Sequence, residues 1–193
     1  MSLFVIFLLM AVSVFLDQIS KYLVVIYMDL YQSVDVIPGI LRFTYIQNDG
    51  AAFGSMDDAR WVFMLLSTVM IIAIVAYIVV KRPKDKLMIA SLILITSGGI
   101  GNMIDRVRLG YVIDFIDFCA FPKIWMWVFN IADACVCVGA GMMILYLVLD
   151  MIREYKREKN AAAIADVGKP KTDKVSEDRN GSTSDSEGGQ DAE

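Results

Sequence analysis

Four stretches of this chain are apolar over close to the length a bilayer demands, and nothing else in the sequence constrains the fold as much. A hydrocarbon core about 30 Å thick takes about 20 helical residues at a rise of about 1.5 Å each. The stretches run approximately from Leu3 to Met28, Trp61 to Val80, Leu87 to Met103 and Val128 to Asp150. Composition agrees: 57% of the 193 residues are hydrophobic, against about 45 to 50% in soluble domains even with glycine counted. Residues 3–16 alone could pass for the core of a secretory signal. No Lys or Arg precedes them, no small-x-small cleavage site follows cleanly, and the apolar pattern resumes at Tyr22, so a permanent span is expected.

Basic residues in short loops set orientation, and acidic ones count for little. Lys81, Arg82, Lys84 and Lys86 crowd the loop between spans two and three, and Arg153, Lys156, Arg157 and Lys159 follow span four. With four spans these segments share a side, and their density assigns it to the cytoplasm. Residues 29–60 and 104–127 then face the exterior, and both chain ends are cytoplasmic. The chain carries 18 basic and 22 acidic residues, of which 4 and 8 lie in 160–193, so the body is neutral and the tail acidic. Almost no large apolar residue occurs there, and such a segment cannot offset its ordering entropy. The expected division is a four-helix transmembrane domain over 1–159 and a disordered acidic cytoplasmic tail over 160–193.

The outer loops carry their own signals. In PGILRFTYIQNDGAAFG (38–54), Leu41, Phe43 and Tyr45 alternate with Arg42 and Thr44 ahead of an Asn-Asp-Gly turn, the pattern of a strand in a small sheet on the membrane surface. Phe115, Phe118, Phe121, Trp125, Trp127 and Phe129 suit a segment at headgroup level, as an aromatic belt would. The expected architecture is therefore a membrane α-helical protein of four transmembrane helices with a small extracytoplasmic β element.

The chain has no histidine, which excludes a Ser-His-Asp triad, a Cys-His pair, His-ligated zinc and a histidine general base. Cys135 and Cys137 would point about 200° apart on a helix, so they cannot chelate one ion together. With Cys119 they read as small apolar fillers, and neither metal nor cofactor is expected. Hydrolytic chemistry would fall to carboxylates, lysine or thiols.

Ionisable groups at membrane depth cost about 2.5 to 3.5 kcal/mol on insertion scales, so each needs a reason. Asp17 and Lys21 are four apart and can pair on one helix face. In SGGIGNMIDR (97–106), Ser97, Gly98 and Gly101 permit close helix approach, while Asn102, Asp105 and Arg106 share a face on which Arg106 could neutralise Asp105. Asp114 in GYVIDFIDF and Asp133 in FNIADA both fall at the outer boundary, with Asn130 three residues before Asp133. Asp133 alone could be dipole compensation at a helix start. Two carboxylates at one depth allow more: their mutual repulsion and partial desolvation raise one pKa, so one serves as base toward water while its protonated partner donates to a carbonyl oxygen. Spacing does not choose between Asp114 and Asp117.

FLDQISK (15–21), NDGAAFG (48–54), GGIGNMIDR (98–106), GYVIDFIDF (110–118) and FNIADA (129–134) resemble, in order and spacing, the blocks of the lipoprotein signal peptidases, signal peptidase II. The resemblance covers roughly residues 10–150. It implies an inner-membrane bacterial aspartyl peptidase, with its active site at the extracytoplasmic face, that cuts prolipoproteins just before a diacylglyceryl-modified cysteine. Its partners would be those signal peptides and membrane lipids, with no nucleic acid, and a monomer is expected. By motif, Asp114 and Asp133 would be the catalytic dyad, which sets Asp117 aside. Asn48 and Gly50 would lie near the dyad, and Asp17, Lys21, Asn102, Asp105, Arg106, Asn130 and Ala134 would shape or support the site. The rival from another class is a small proton-coupled carrier using the intramembrane carboxylates as a relay, which would favour polar residues strung across the bilayer and inverted repeats.

Overall fold

The structure, a computed structural model, describes residues 1–50, 59–120 and 125–167. Helix α1 (Leu3–Tyr27) is followed by strands β1 (Ser33–Ile37) and β2 (Leu41–Asn48), helices α2 (Ala59–Lys81) and α3 (Lys86–Arg108), strands β3 (Val112–Phe118) and β4 (Val128–Phe129), and helix α4 (Ile131–Val167). Each of the four helices contains a segment long and apolar enough to cross a membrane. Helices α1 to α3, the sheet and α4 as far as Met151 belong to one compact unit, and the described part of the second unit is the remainder of α4 from Ile152.

Local chemistry sets the helix ends. Ser2 caps α1 by accepting from the Val5 amide at 3.3 Å. Asp85, at the end of the KRPKD turn, caps α3 through one oxygen that takes the Leu87 and Met88 amides at 2.8 and 3.2 Å. Pro83, two residues before it, cannot donate to continue α2, so the turn falls where the sequence breaks. Half of the apolar window of α3 is buried, against 17% for α1 and 6% each for α2 and α4, which makes α3 the central helix. At its Lys86 end Ile6, Met10, Ile78, Ile89, Leu92 and Ile93 form one core cluster, with Met143 of α4 packed against it.

The strand expected at Leu41–Tyr45 is present and runs on to Asn48 in a four-stranded antiparallel sheet ordered β1-β2-β3-β4. Three boundaries differ from expectation. Span four starts at Ile131 because Val128 and Phe129 pair with Asp117 and Ile116 of β3. Span three continues to Arg108, and α4 reaches Val167, into the segment expected to form the tail from Asn160. Phe115 is not a belt residue: it is buried with Val24, Tyr45 and Ile113, edge-on to Phe43 at 5.7 Å between ring centroids, and joins the sheet to α1. Trp125 and Trp127 are exposed and packed edge to face, as a belt would have them. Phe121 and residues 51–54 lie outside the described residues.

Candidate active site

Lys21 orders the polar cluster because an ammonium only donates. Its side chain is buried, and Nζ lies 3.0 Å from Asp17 Oδ2, 2.9 Å from Asp105 Oδ2 and 3.0 Å from Asn102 Oδ1. The i,i+4 pair on α1 is as expected. The pairing on α3 is not: Asp105 is neutralised by Lys21, and Arg106 instead donates to the Asn102 backbone carbonyl at 3.4 Å. Asp105 points into the bundle, while its neighbour lies about 100° further round the helix.

Two buried carboxylates around one cation leave a negative charge in excess, and Gln18 answers it with an amide. Its Nε2 lies 2.9 Å from Asp105 Oδ1, 3.2 Å from Asp17 Oδ2 and 3.1 Å from the Gly101 carbonyl. The remaining acceptor capacity pins other elements in place. Asp17 Oδ1 takes the Ala132 amide of α4 at 2.9 Å, and Asp105 Oδ2 takes the Ile113 amide of β3 at 3.2 Å. Gly101 is what lets Asp17 come so close to α3, since a Cβ there would stand 2.5 Å from Asp17 Oδ2.

Asn130 caps α4 in a reciprocal box: its Oδ1 takes the Asp133 amide at 2.9 Å, and Asp133 Oδ2 takes the Asn130 amide at 3.2 Å. Its Nδ2 then donates to Asp114 Oδ1 at 2.6 Å. The other oxygen of Asp133 takes Asn102 Nδ2 at 2.7 Å, and the other oxygen of Asp114 takes Asn48 Nδ2 at 2.8 Å. Each aspartate thus accepts one donor on each oxygen, and one residue, Asn130, serves both. Asn48 is itself held by the Gly50 amide, 3.0 Å from its Oδ1, in a turn where Gly50 has φ +84°, a conformation glycine adopts freely.

Strand alternation separates Asp114 from Asp117. Asp114 shares the face of Ile46 and Asn48, whereas Asp117 sits across from Arg42 and binds its guanidinium, with the Thr44 hydroxyl donating at 3.1 Å. The Asp114 carboxyl is pushed up to about 6, chiefly by burial and further by the nearby Asp133 charge, against the Asn48 and Asn130 amides and Lys21, which pull it down. Beside Asp133 a cavity of about 230 Å³ opens between α2, α3 and α4, with Ile71, Gly99, Asn102, Arg106 and Cys137 on its wall. The three cysteines are free thiols, and among the described residues no group of acidic or thiol side chains is arranged to hold a metal ion.

The model of the family described as signal peptidase (SPase) II matches residues 9–149. The chain belongs to the signal peptidase II family. It is 45% identical to the lipoprotein signal peptidase of Geobacter sulfurreducens over 150 residues, covering 76% of this chain and 90% of that protein. It is 37% identical to the lipoprotein signal peptidase of Halalkalibacterium halodurans, also over 150 residues, covering 78% and 95%. A solved bacterial membrane enzyme superimposes with a TM-score of 0.70 at 32% identity, covering 75% of this chain and 93% of the other. The carrier alternative is not favoured, since the buried carboxylates of this signal peptidase II chain gather at one end of the bundle.

All the residues nominated from the sequence fall in or beside one network except Ala134, which gives only the ordinary helical bond to the Asn130 carbonyl at 3.1 Å. Arg106 borders the cavity without joining the carboxylate cluster. Gln18, inside the FLDQISK block, belongs to the network without having been nominated from the sequence. The signal that could have found it is its place between Asp17 and Lys21, on a face the bundle must bury.

Proposed function

We propose that the chain is an aspartic endopeptidase that removes the signal peptide from lipoprotein precursors, with Asp114 and Asp133 as its dyad. Family membership supports the reaction, and the observation that carries the residue assignment is the donation of Asn130 to both carboxyls.

In this mechanism Asp114, whose carboxyl is raised to about 6, holds the proton, and water exclusion by a bound substrate raises it further. Asp133, held by Asn102 and the Asn130 amide, takes a proton from the attacking water. Asp114 gives its proton to the carbonyl oxygen of the scissile bond. Collapse of the tetrahedral species returns a proton from Asp133 to the departing nitrogen, and the product carboxyl restores Asp114. No covalent intermediate is needed. Asn48, Gly50, Asp17, Lys21, Asn102, Asp105 and Asn130 act as positioning groups, and Arg106 borders the substrate cavity.

The substrate is a precursor whose cysteine carries a diacylglyceryl group, cut just before that residue by a monomeric enzyme of the bacterial inner membrane. The basic residues after span four and in the KRPKDK loop support a cytoplasmic placement for both termini and an extracytoplasmic dyad. Cleavage of one precursor, with and without the diacylglyceryl group, tests this. Only the modified form should yield a new N-terminus at the cysteine; equal cleavage of both forms would contradict it.

A further inference from the structure

Away from the dyad, α2 and α3 enclose an apolar groove of about 400 Å³, formed by Ile71 and Ile72 on one side and Ile100, Ile104 and Val107 on the other, with Arg108 at its end. On α3 the spacing 100, 104, 107, 108 is a single helical stripe. The one hydroxyl in the groove, on Thr68, is spent on the Met64 carbonyl of its own helix at 2.7 Å. Ile71 also lines the cavity beside Asp133 and so stands as the partition between the two spaces.

The charge at the groove's end has no answer within the described residues. The Arg108 side chain is exposed and takes part in no salt bridge or hydrogen bond among the described residues, while the carboxylates nearest in sequence are engaged elsewhere: Asp105 with Lys21 and Gln18, Asp114 with Asn48 and Asn130. A basic residue in a last helical turn gains from the helix dipole, which accounts for the charge but not for the apolar trough beneath it. Arg108 is the last residue of a 23-residue helix, which rises about 34 Å and so reaches headgroup level. A planar guanidinium there matches the paired oxygens of a phosphate.

We infer that the α2–α3 groove is a binding site for an anionic glycerophospholipid, one acyl chain lying along Ile72, Ile100 and Ile104 and the phosphate paired with Arg108. A free phosphate would leave the trough uncovered, and a neutral diacylglycerol would leave the guanidinium unpaired. The ligand sits beside the catalytic cavity and outside it, so its binding is independent of which residues perform cleavage.

Native mass spectrometry of the delipidated protein, titrated separately with dioleoyl phosphatidylglycerol, dioleoylglycerol and a short-chain glycerophosphate, tests the site. The phospholipid should give a one-to-one adduct about fivefold tighter than dioleoylglycerol, the size expected of one basic residue at a charged interface. Arg108→Gln should bring the phospholipid down to the level of dioleoylglycerol, Arg108→Lys should keep most of the difference, and Ile104→Trp should remove the adduct by filling the trough. Equal retention of phospholipid and dioleoylglycerol by the wild type, no effect of Arg108→Gln, or glycerophosphate binding as tightly as the phospholipid would each overturn the proposal. Thermal transitions in lipid-free micelles show that the variants are folded, and Arg108→Gln decides the matter if Ile104→Trp is not.

Discussion

Lys21 Nζ lies 3.0 Å from Asn102 Oδ1, and this contact sets the direction of hydrogen bonding through the whole site. An ammonium cannot accept, so the amide oxygen of Asn102 must face it and the amide nitrogen must face Asp133, 2.7 Å away. Asn102 Oδ1 also takes Asn130 Nδ2 at 3.1 Å, which leaves the Asn130 oxygen for the helix cap and its nitrogen for Asp114. One buried cation therefore presents donors to both carboxyls.

Lys21→Met leaves Asp17 and Asp105 buried without a cation, and breaking a buried pair in this way costs about 3 to 5 kcal/mol. Thermal unfolding in detergent should show a large fall in Tm. Lys21→Arg should not restore it, because a planar fork cannot place three donors on the same three oxygens. Wild-type stability in Lys21→Met would contradict the role given to the cluster.

Gly101→Ala tests the close approach of Asp17 to α3. The added methyl would stand 2.5 Å from Asp17 Oδ2 and 3.2 Å from the Ala132 side chain, an overpacking worth about 1 to 3 kcal/mol. Displacing Asp17 also frees the first turn of α4, which carries Asp133. Tm and cleavage rate should both fall, and a variant matching wild type in both would exclude the strain.

Asp117→Asn separates the two aspartates of β3. The Arg42–Asp117 pair is part-exposed, with Arg42 43% accessible, and a screened pair of this kind contributes less than about 1 kcal/mol. Cleavage should continue near the wild-type rate. Loss of activity as deep as in Asp114→Asn would mean that the wrong carboxyl has been assigned.

Asn48→Ala removes the hydrogen bond that draws the Asp114 carboxyl down from the value burial gives it. A reaction that needs Asp114 protonated is complete below its pKa and fails as pH rises through it. The alkaline limb of kcat/KM should therefore move to higher pH in Asn48→Ala, with kcat lowered. From the ordinary carboxylate range up to about 6 the folded chain holds a proton that the unfolded chain has lost, so Asp114 opposes folding as pH rises through that window. Through it the Tm of the wild type should fall more steeply with pH than that of Asp114→Asn, which has no carboxyl to titrate there, and a pH profile unmoved in Asn48→Ala would contradict the assigned cause.

The four spans were legible because apolar stretches of membrane length admit few other readings, and the Leu41–Tyr45 alternation announced β2. Strand β3 was not legible. Val112, Ile113, Asp114 and Phe115 are all buried, so no polar face alternates with an apolar one. That hid both the role of Phe115 as the sheet's anchor on α1 and the opposite facing of Asp114 and Asp117. The partner of Asp105 was misread because sequence proximity favours Arg106, while the nearer cation comes from α1, brought in by helix packing at Gly101. The dyad itself was nominated by motif; its coupling through Asn130 is a matter of three-dimensional arrangement.

The central claim is that Asp114 and Asp133 together perform the cleavage. Purified Asp114→Asn and Asp133→Asn, each shown by its thermal transition to be folded, should lower kcat on a diacylglyceryl prolipoprotein by at least about 10²- to 10⁴-fold, the usual yield of a positioned acid or base. Cleavage by either folded variant at a rate near wild type would contradict the account.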